Sequence, residues 1–396
     1  MAGVGLQRAD RATGHPRTGL RIGLVAPPWL AVPPTVYGGT ELVVDQLARG
    51  LDAAGCRVVL FTTGDATCPV ARRWVYPRAG GQIGDTLTEL HHVQRAYDAL
   101  TDVDLVHDHT LLGPVWATMH RPELPVVTTA HGQFTPELTE LYRAIADRVS
   151  VIAISHAQRR SAGSVRVARV IHHGIDLSGF PLGRGDGGYV LFLGRMSPDK
   201  GVHRAVAVAR AARKRLLIAA KMHTPAERAY YEQQVAPLLG HDAVYVGEVG
   251  GTRKLALLAG AEALVNPIRW PEPFGLVMIE ALACGTPVLS FAEGAAPEII
   301  EHGRTGFLCA TTHEMVARVR DVADLSRAGC RASVATRFSA TRMVREHIDL
   351  YRDVLADRLG QADRAARQTH PLTVAGWGSS RSGTSMPVPP RGRSEG

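Results

Sequence analysis

The chain has 396 residues, of which 45% are hydrophobic and 21% are charged, so it has the composition and length of a globular protein with two cores. A fibrous protein and a wholly disordered protein are both excluded. The net charge of +8 does not indicate a nucleic-acid partner, because most of it lies at the two arginine-rich ends. These ends, residues 1–20 and 361–396, lack hydrophobic periodicity and are predicted to be disordered tails.

The five cysteines have neither the even number of a disulfide framework nor the spacing of a zinc site. They suit a reducing compartment, so we expect a cytoplasmic protein. The N-terminus lacks the apolar run of a signal peptide, and no stretch reaches the roughly 20 apolar residues that a membrane span needs. A peripheral membrane contact is left open, but nothing in the sequence indicates one.

From residue 21 onward, short β-branched runs alternate with helical periodicity, as in a parallel sheet covered by helices. The helix predicted after the first strand covers Thr40–Ala54. The strands predicted in this first domain, residues 21–177, are Ile22–Ala26, Val58–Thr62, Asp104–His107, Pro125–Thr129, Val149–Ile154 and Val167–His172.

Residues 178–188 contain five glycines and a proline, which is typical of an interdomain linker. The alternation then restarts in a second domain, residues 189–340, with helices predicted over 201–212 and 226–239. An amphipathic helix over 341–359 follows and needs a partner surface. The strands predicted in the second domain are Tyr189–Leu193, Leu216–Ala220, Ala243–Val246, Ala263–Asn266 and Pro287–Ser290. The fold class is therefore α/β with two doubly wound domains.

The most informative segment is Trp270–Val288. Pro273 is predicted in the first turn of a helix and Gly285 at its end, which places Glu272 just before the helix and Glu280 within it. Two carboxylates near a helix N-terminus could hold two diols, with a phosphate group at the helix start. The alternative for Glu280 is a solvated helix residue.

Two loops at the ends of predicted strands could also bind an anion. Arg195 and Lys200 follow the strand at Tyr189 and could neutralise a pyrophosphate, although a solvated basic turn is the alternative. Gly38 and Gly39 precede the first helix and allow close approach of a ligand to the backbone. This glycine loop is neither a Gly-x-Gly-x-x-Gly fingerprint nor a P-loop, which disfavours a nicotinamide cofactor and ATP hydrolysis.

The histidines and aspartates do not predict a metal site. In His107-Asp108-His109, neighbouring side chains of a strand point to opposite faces. Asp102 and Asp104 stand at the start of a strand, away from the ligand edge of a parallel sheet. His131 differs, because a strand followed by His-Gly places its imidazole at the ligand edge, facing a cleft between the domains.

Together these segments resemble the retaining GT-B glycosyltransferases of family four. Glu272 and Glu280 match the Glu-x7-Glu motif of that family, and the glycine loop, His131-Gly132, the Arg195 to Lys200 loop, Ser155 to Arg159 and Gly294 to Glu298 follow in the family's order. The resemblance covers residues 21–358. It departs from the family at His172-His173-Gly174, where Pro-Asn-Gly is common, and at Gly294-Ala295, where Gly-Gly is common.

The resemblance implies a GT-B fold with a cleft between two Rossmann-like domains and a C-terminal helix that crosses back to the first. The co-substrate would be a nucleoside-diphosphate sugar, with no other cofactor and no metal. The residues matching Arg195 and Lys200 bind the diphosphate and the one matching Glu280 binds the ribose. The residue matching Glu272 contacts the donor sugar, with the N–H groups of Phe274 and Gly275 close by. His131, Gly38 and Gly39 would face the reacting centre from the acceptor domain.

The acceptor, whether a small molecule, a glycan or a lipid, is not identified by the sequence. Because no nucleophile has an evident activating base, same-face displacement is favoured over a covalent double displacement. Glu272 is the group that could instead act as the nucleophile of a double displacement. Two alternatives stay open: a nucleotide-sugar epimerase on the same fold, and a nucleotide-sugar-binding protein without turnover.

Overall fold

The computed structural model describes residues 5–7, 19–36 and 38–368. Most of the predicted N-terminal tail and residues 369–396 therefore lie outside the described part. The described chain forms two β-sheets with helices on both faces, which confirms the predicted α/β fold with two Rossmann-like domains. No helix in these ranges is long and apolar enough to cross a bilayer.

The first sheet has eight strands in the order β1-β4-β3-β2-β5-β6-β7-β8. All neighbours are parallel except β1, which pairs antiparallel with β4 at the edge. The strands are β1 (Gly5–Gln7), β2 (Arg21–Val25), β3 (Arg57–Thr62), β4 (Ala71–Trp74), β5 (Leu105–Asp108), β6 (Val126–Ala130), β7 (Val149–Ala153) and β8 (Val167–Val170). The helices of this half are α1 (Gly39–Ala53), α2 (Thr86–Ala99), α3 (Leu112–His120), α4 (Pro136–Ile145) and α5 (His156–Ser161).

The second sheet has six parallel strands in the order β11-β10-β9-β12-β13-β14. They are β9 (Tyr189–Arg195), β10 (Arg215–Lys221), β11 (Ala243–Gly247), β12 (Leu264–Asn266), β13 (Val288–Phe291) and β14 (Gly306–Cys309). Its helices are α6 (Val202–Ala211), α7 (Pro225–Tyr230), α8 (Gly251–Gly260), α9 (Leu276–Ala283), α10 (Ala296–Ile299), α11 (Thr312–Asp321) and α12 (Arg327–Arg337), and the chain continues into α13 (Ala340–Gln368).

Each sheet reverses its strand order at one point, between β2 and β5 in the first and between β9 and β12 in the second. In a doubly wound sheet, a ligand binds beyond the carboxyl ends of the strands at this switch point. The loops after these four strands are therefore expected to carry the functional groups of both halves.

Helix α13 crosses back to the first sheet, as predicted. Met343, Val344 and Tyr351 are buried in one core cluster with Ile22 of β2. A Cβ atom on Gly50 of α1 would lie 2.3 Å from a methyl carbon of Val344, so glycine at this position permits the close approach of the two helices.

The linker, residues 178–188, is held against the second half by several hydrogen bonds. The N–H groups of Gly183, Gly185 and Gly187 donate to carbonyls of Cys284, Ala259 and Gly260. The guanidinium of Arg327 also donates to the carbonyl of Gly183 at 2.7 Å.

Several elements differ from the prediction. Residues 5–7, expected to be disordered, form β1, because the edge strand β4 offers free backbone groups for pairing. Residues 361–368, also expected to be disordered, continue α13 through a stretch rich in alanine and arginine, which are strong helix formers. The helix predicted over 226–239 ends at Tyr230 and passes into a π-helical and then a 3₁₀ turn that contains Pro237, which has no N–H to donate.

A row of five histidines runs from α13 through the first half to the cleft. Adjacent ring centroids lie 4.1 to 5.5 Å apart along the series His347, His107, His109, His131 and His173. Next to His347 in the row, His107 Nδ1 is hydrogen-bonded at 2.8 Å to the hydroxyl of Tyr351. Burial lowers the pKa of His131 and of His347 to about 4, and holds the pKa of each of the other three well below its usual value.

We expect Tyr351→Ala to lower the free energy of unfolding by roughly 3–5 kcal/mol, because it removes a fully buried ring from under α13. The matched control is Arg352→Ala on the exposed face of the same helix, which should change stability by less than about 0.5 kcal/mol. Urea denaturation followed by circular dichroism measures both. Equal stabilities of the two variants would contradict the crossing-helix packing.

The histidine row predicts a loss of stability in acid. As the pH falls below about 6.5, the unfolded chain binds protons that the buried imidazoles do not, which favours unfolding until the folded pKa is reached near 4. Each such histidine contributes up to about 1.4 kcal/mol per pH unit in this window. The slope of unfolding free energy between pH 6.5 and 5 should therefore be smaller in His347→Gln by about that amount. The exposed His313→Gln serves as the control, and equal slopes in both variants would refute the assignment.

Candidate active site

A cleft of about 500 Å³ opens where the switch points of the two sheets face each other. It brings together eight of the nine predicted site residues. The first half contributes Gly38, Gly39 and His131, and the second contributes Lys200, Glu272, Phe274, Gly275 and Glu280.

Arg195 is the predicted residue that the cleft does not include. It is the last residue of β9, and its guanidinium turns to the carboxylate of Asp199, 3.3 Å away. Arg195 does not line the cleft in this structure, and its assignment to the diphosphate stays a prediction. Among the predicted basic groups of this loop, Lys200 is therefore the one placed in the cleft.

Glu272 lies in the loop before α9 and is paired with Lys200. Lys200 is buried, with 8% of its surface exposed. The indole N–H of Trp270 donates to the same carboxylate oxygen at 2.5 Å, and the ammonium of Lys200 lies 5.2 Å from the Trp270 ring centroid. The carboxylate thus has a fixed orientation. Removal of one partner from a buried ion pair of this kind strongly destabilises the protein, because the other charge stays buried without a partner.

The backbone of Glu272 is positioned by the loop at Gly294. The carbonyl of Glu272 accepts a hydrogen bond from the N–H of Ala295 at 3.0 Å. A Cβ atom on Gly294 would lie 2.4 Å from the backbone of Glu272, and φ at Gly294 is +56°. Glycine is needed at this position, whereas the buried Ala295 that follows needs no such freedom.

Glu280 is buried on α9 and forms an ion pair with Lys254 of α8, with Nζ 2.7 Å from Oε1. The alternative of a solvated helix residue is therefore wrong. Lys254 also lines the cleft, and the sequence analysis did not identify it. The position of Lys254 in an ordinary amphipathic helix gives no signal of function. Only the need of a buried Glu280 for a partner of opposite charge could have pointed to it.

Helix α9 begins later than predicted. Gly275, with φ +94°, is its N-cap and Leu276 is its first residue, so Pro273 lies before the helix and not in its first turn. The first N–H groups of a helix have no intrahelical acceptor and favour an anion. The first helix of the other half starts nearby, since a Cβ atom on Gly39 would lie 3.4 Å from Leu276.

His131 follows β6 and contributes the imidazole of the first half. Its Nε2 is hydrogen-bonded to His109 Nδ1 at 2.9 Å, and its ring stacks on that of His173. Because its pKa is lowered to about 4, the ring is neutral at pH 7. His109 is a residue of this site that sequence analysis assigned no role, although its place after β5 could have indicated one.

A second cavity of about 160 Å³ shares His131 with the cleft. It lies within the first half, and its walls combine apolar groups such as Phe134 and Leu138 with the polar groups of Thr110, Gln133 and Tyr142. One wall group joins the two halves, since the side-chain amide of Gln133 donates at 2.9 Å to the carbonyl of Pro271.

Asp102 and Asp104 lie at the amino end of β5, as predicted. Both carboxylates pair with Arg21 at the amino end of β2. The edge of the sheet that carries them is opposite to the edge that lines the cleft. The second half thus carries two Lys–Glu ion pairs and a helix N-terminus in the cleft, and the first half carries a neutral imidazole.

Family comparisons agree with this geometry. The model of the glycosyl transferases group 1 matches residues 180–331, and that of glycosyltransferase family 4 matches residues 37–178. A glycogen synthase of Mycobacterium tuberculosis is 33% identical over 77% of this chain and 87% of its own length. A phosphatidyl-myo-inositol mannosyltransferase of Mycolicibacterium smegmatis is 28% identical over 73% of this chain and 80% of its own.

Solved structures show the same fold. Sucrose-phosphate synthase from Thermosynechococcus elongatus superimposes with a TM-score of 0.72 at 23% identity, covering 85% of this chain and 100% of that structure. A glycosyltransferase involved in avilamycin A biosynthesis superimposes with a TM-score of 0.65 at 25% identity, covering 85% and 98%. The chain therefore belongs to the family-four glycosyltransferases with the GT-B fold.

Proposed function

We propose that the protein is a retaining glycosyltransferase that moves a sugar from a nucleoside-diphosphate sugar to an acceptor without a divalent metal in the reaction. The observation that carries this proposal is the pairing of Glu272 with Lys200 and of Glu280 with Lys254 around the N-terminus of α9. A diphosphate can be neutralised there by two ammonium groups and the helix dipole. The two carboxylates are then available to hydroxyl groups of the donor.

In this proposal Glu280 holds the ribose diol and Glu272 contacts the donor sugar. Lys200 and the N–H groups at the start of α9 stabilise the negative charge that builds on the leaving phosphate as the anomeric bond breaks. The leaving phosphate oxygen takes the proton of the acceptor hydroxyl on the same face of the sugar, and His131 stays neutral beside the reacting carbon.

The acceptor would approach from the first half, through the smaller cavity beside His131. We also propose a cytoplasmic site of action, which is supported by five buried cysteines that form no disulfide. The direct test of the function is transfer from a panel of nucleoside-diphosphate sugars, with the anomeric configuration of the product read by NMR. Absence of transfer and hydrolysis with every donor that binds, or an inverted product, would refute it.

Replacing the two glutamates should separate their roles. Glu280→Gln should weaken binding of the free nucleoside diphosphate by about ten-fold or more, because a hydrogen bond to a charged group contributes about 1.5–3 kcal/mol. Glu272→Gln should not weaken that affinity, because it leaves Lys200 free for the diphosphate, and it should lower kcat, since its proposed partner is the sugar. Calorimetry and initial rates measure these effects, with the exposed Glu232→Gln as a matched control. Equal losses of nucleotide affinity in both variants would contradict the assignment.

Turnover should persist after exhaustive treatment with EDTA, because fixed cationic groups already face the diphosphate. The comparison is the initial rate with added magnesium or manganese, in the original protein and in Asp104→Asn. Neither metal should raise the rate by more than about two-fold, and Asp104→Asn should behave like the original. A rate that collapses in EDTA, returns with manganese and is lost in Asp104→Asn would overturn the metal-free reaction.

A further inference from the structure

Two histidines and one glutamate meet outside the cleft, where the two halves of the protein touch. His156 is the first residue of α5, His172 follows β8, and Glu298 lies on α10 of the second half. One ligand atom from each lies within 4.8 Å of the other two, and His172 Nε2 is 2.7 Å from Glu298 Oε2. None of these three side chains has a role in the reaction proposed above.

The groups behind these side chains fix their positions. The carboxylate of Glu298 accepts hydrogen bonds from the backbone N–H groups of His156 and Ala157 at 2.8 and 2.6 Å. The guanidinium of Arg337 donates to the carbonyl of Glu298, and that of Arg342 donates at 2.6 Å to the carbonyl of His172. Orientation of ligands by such outer contacts is a general property of metal sites.

The ring of His172 is also held by aromatic packing. It lies 5.8 Å from the ring of Phe338 and 5.9 Å from that of Phe274, centroid to centroid. One edge of the imidazole faces Glu298, and the more exposed His156 ring lies 5.6 Å away at an angle of 70°. His156 can therefore adjust its rotamer to complete a site around a fixed pair.

We propose that His156, His172 and Glu298 form a binding site for a divalent transition metal of the zinc class that joins the two halves of the protein. Two imidazoles and one carboxylate are a ligand set that zinc uses, with water in the remaining position. The ion takes the place of the proton between His172 Nε2 and Glu298 Oε2, and His172 then carries its proton on Nδ1. The backbone N–H groups that bind Glu298 remain in place and hold the carboxylate toward the ion.

The site is independent of the metal-free reaction, because its ligands do not line the cleft. Its effect is on stability, since an ion bound by residues of both halves favours the folded state by mass action. Metal binding and the gain in stability can both be measured without donor or acceptor. Failure of this proposal is therefore distinguishable from failure of the proposed function.

The test is titration of EDTA-stripped, full-length protein with Zn²⁺ by calorimetry and with Co²⁺ by absorption spectroscopy. We expect one ion per chain, a tetrahedral Co²⁺ spectrum and a rise in Tm on addition of Zn²⁺. His156→Ala, His172→Asn and Glu298→Gln should each weaken binding by roughly ten-fold or more. His156→Ala keeps the backbone N–H groups that bind Glu298, so it preserves the local fold.

The matched control is His131→Asn, which changes the other group of neighbouring imidazoles and should leave Zn²⁺ affinity within about two-fold. Unchanged affinity in the three ligand variants would overturn the proposal. Loss of Zn²⁺ binding in His131→Asn would also overturn it, because it would assign the ion to the histidine row. The absence of saturable Zn²⁺ binding to the original protein would overturn it as well.

Discussion

The cleft depends on burial of opposite charges in pairs. An isolated carboxylate or ammonium in a cleft lined largely by apolar groups would carry a large desolvation penalty. Glu280 and Lys200 are both less than 10% exposed, and each is tolerated because a partner of opposite charge lies against it. These pairs contribute little net stability, yet removal of one partner leaves an uncompensated buried charge. The surrounding structure must therefore hold both members in place.

The backbone around α9 meets this requirement by close approach. Gly294 lets the loop after β13 contact the backbone of Glu272, and Gly275 turns the chain into the helix at a positive φ. The helix then carries Glu280 toward α8. A larger residue at Gly294 would displace Glu272 from Lys200, so the charge pairing and the glycine pattern form one constraint.

Much of the fold could be predicted because buried parallel strands are continuous apolar runs. The strands around both switch points were identified within one or two residues, and with them the loops that carry Glu272 and Lys200. The strand β6, which precedes His131, was identified equally well. The strand β4 was missed because its residues, including Arg72 and Arg73, are only partly buried and carry charge. Its pairing with β3 is a long-range property that local hydrophobicity does not encode.

The site was predicted less completely than the fold, for a related reason. Arg195 and Lys200 looked equivalent in sequence, but of these two only Lys200 lines the cleft, where it pairs with Glu272 beside Trp270. Arg195 pairs with Asp199 instead. Lys254 has no motif, so its role follows only from the carboxylate that α9 brings beside it. Partners separated by tens of residues are set by tertiary structure.

Binding of the proposed donor would change the partners of the paired side chains. When a diphosphate binds beside Lys200, the ammonium can share its charge with the phosphate oxygens, and the hold on Glu272 weakens as a result. The carboxylate then has lone pairs available for sugar hydroxyls, while the indole of Trp270 still fixes its direction. An ion pair that is closed before binding and opens toward the proposed donor would keep both charges satisfied at every step. In the proposed reaction the cleft would then hold the anionic leaving group with fixed side chains, and the neutral imidazole of His131 would add no opposing charge at the sugar.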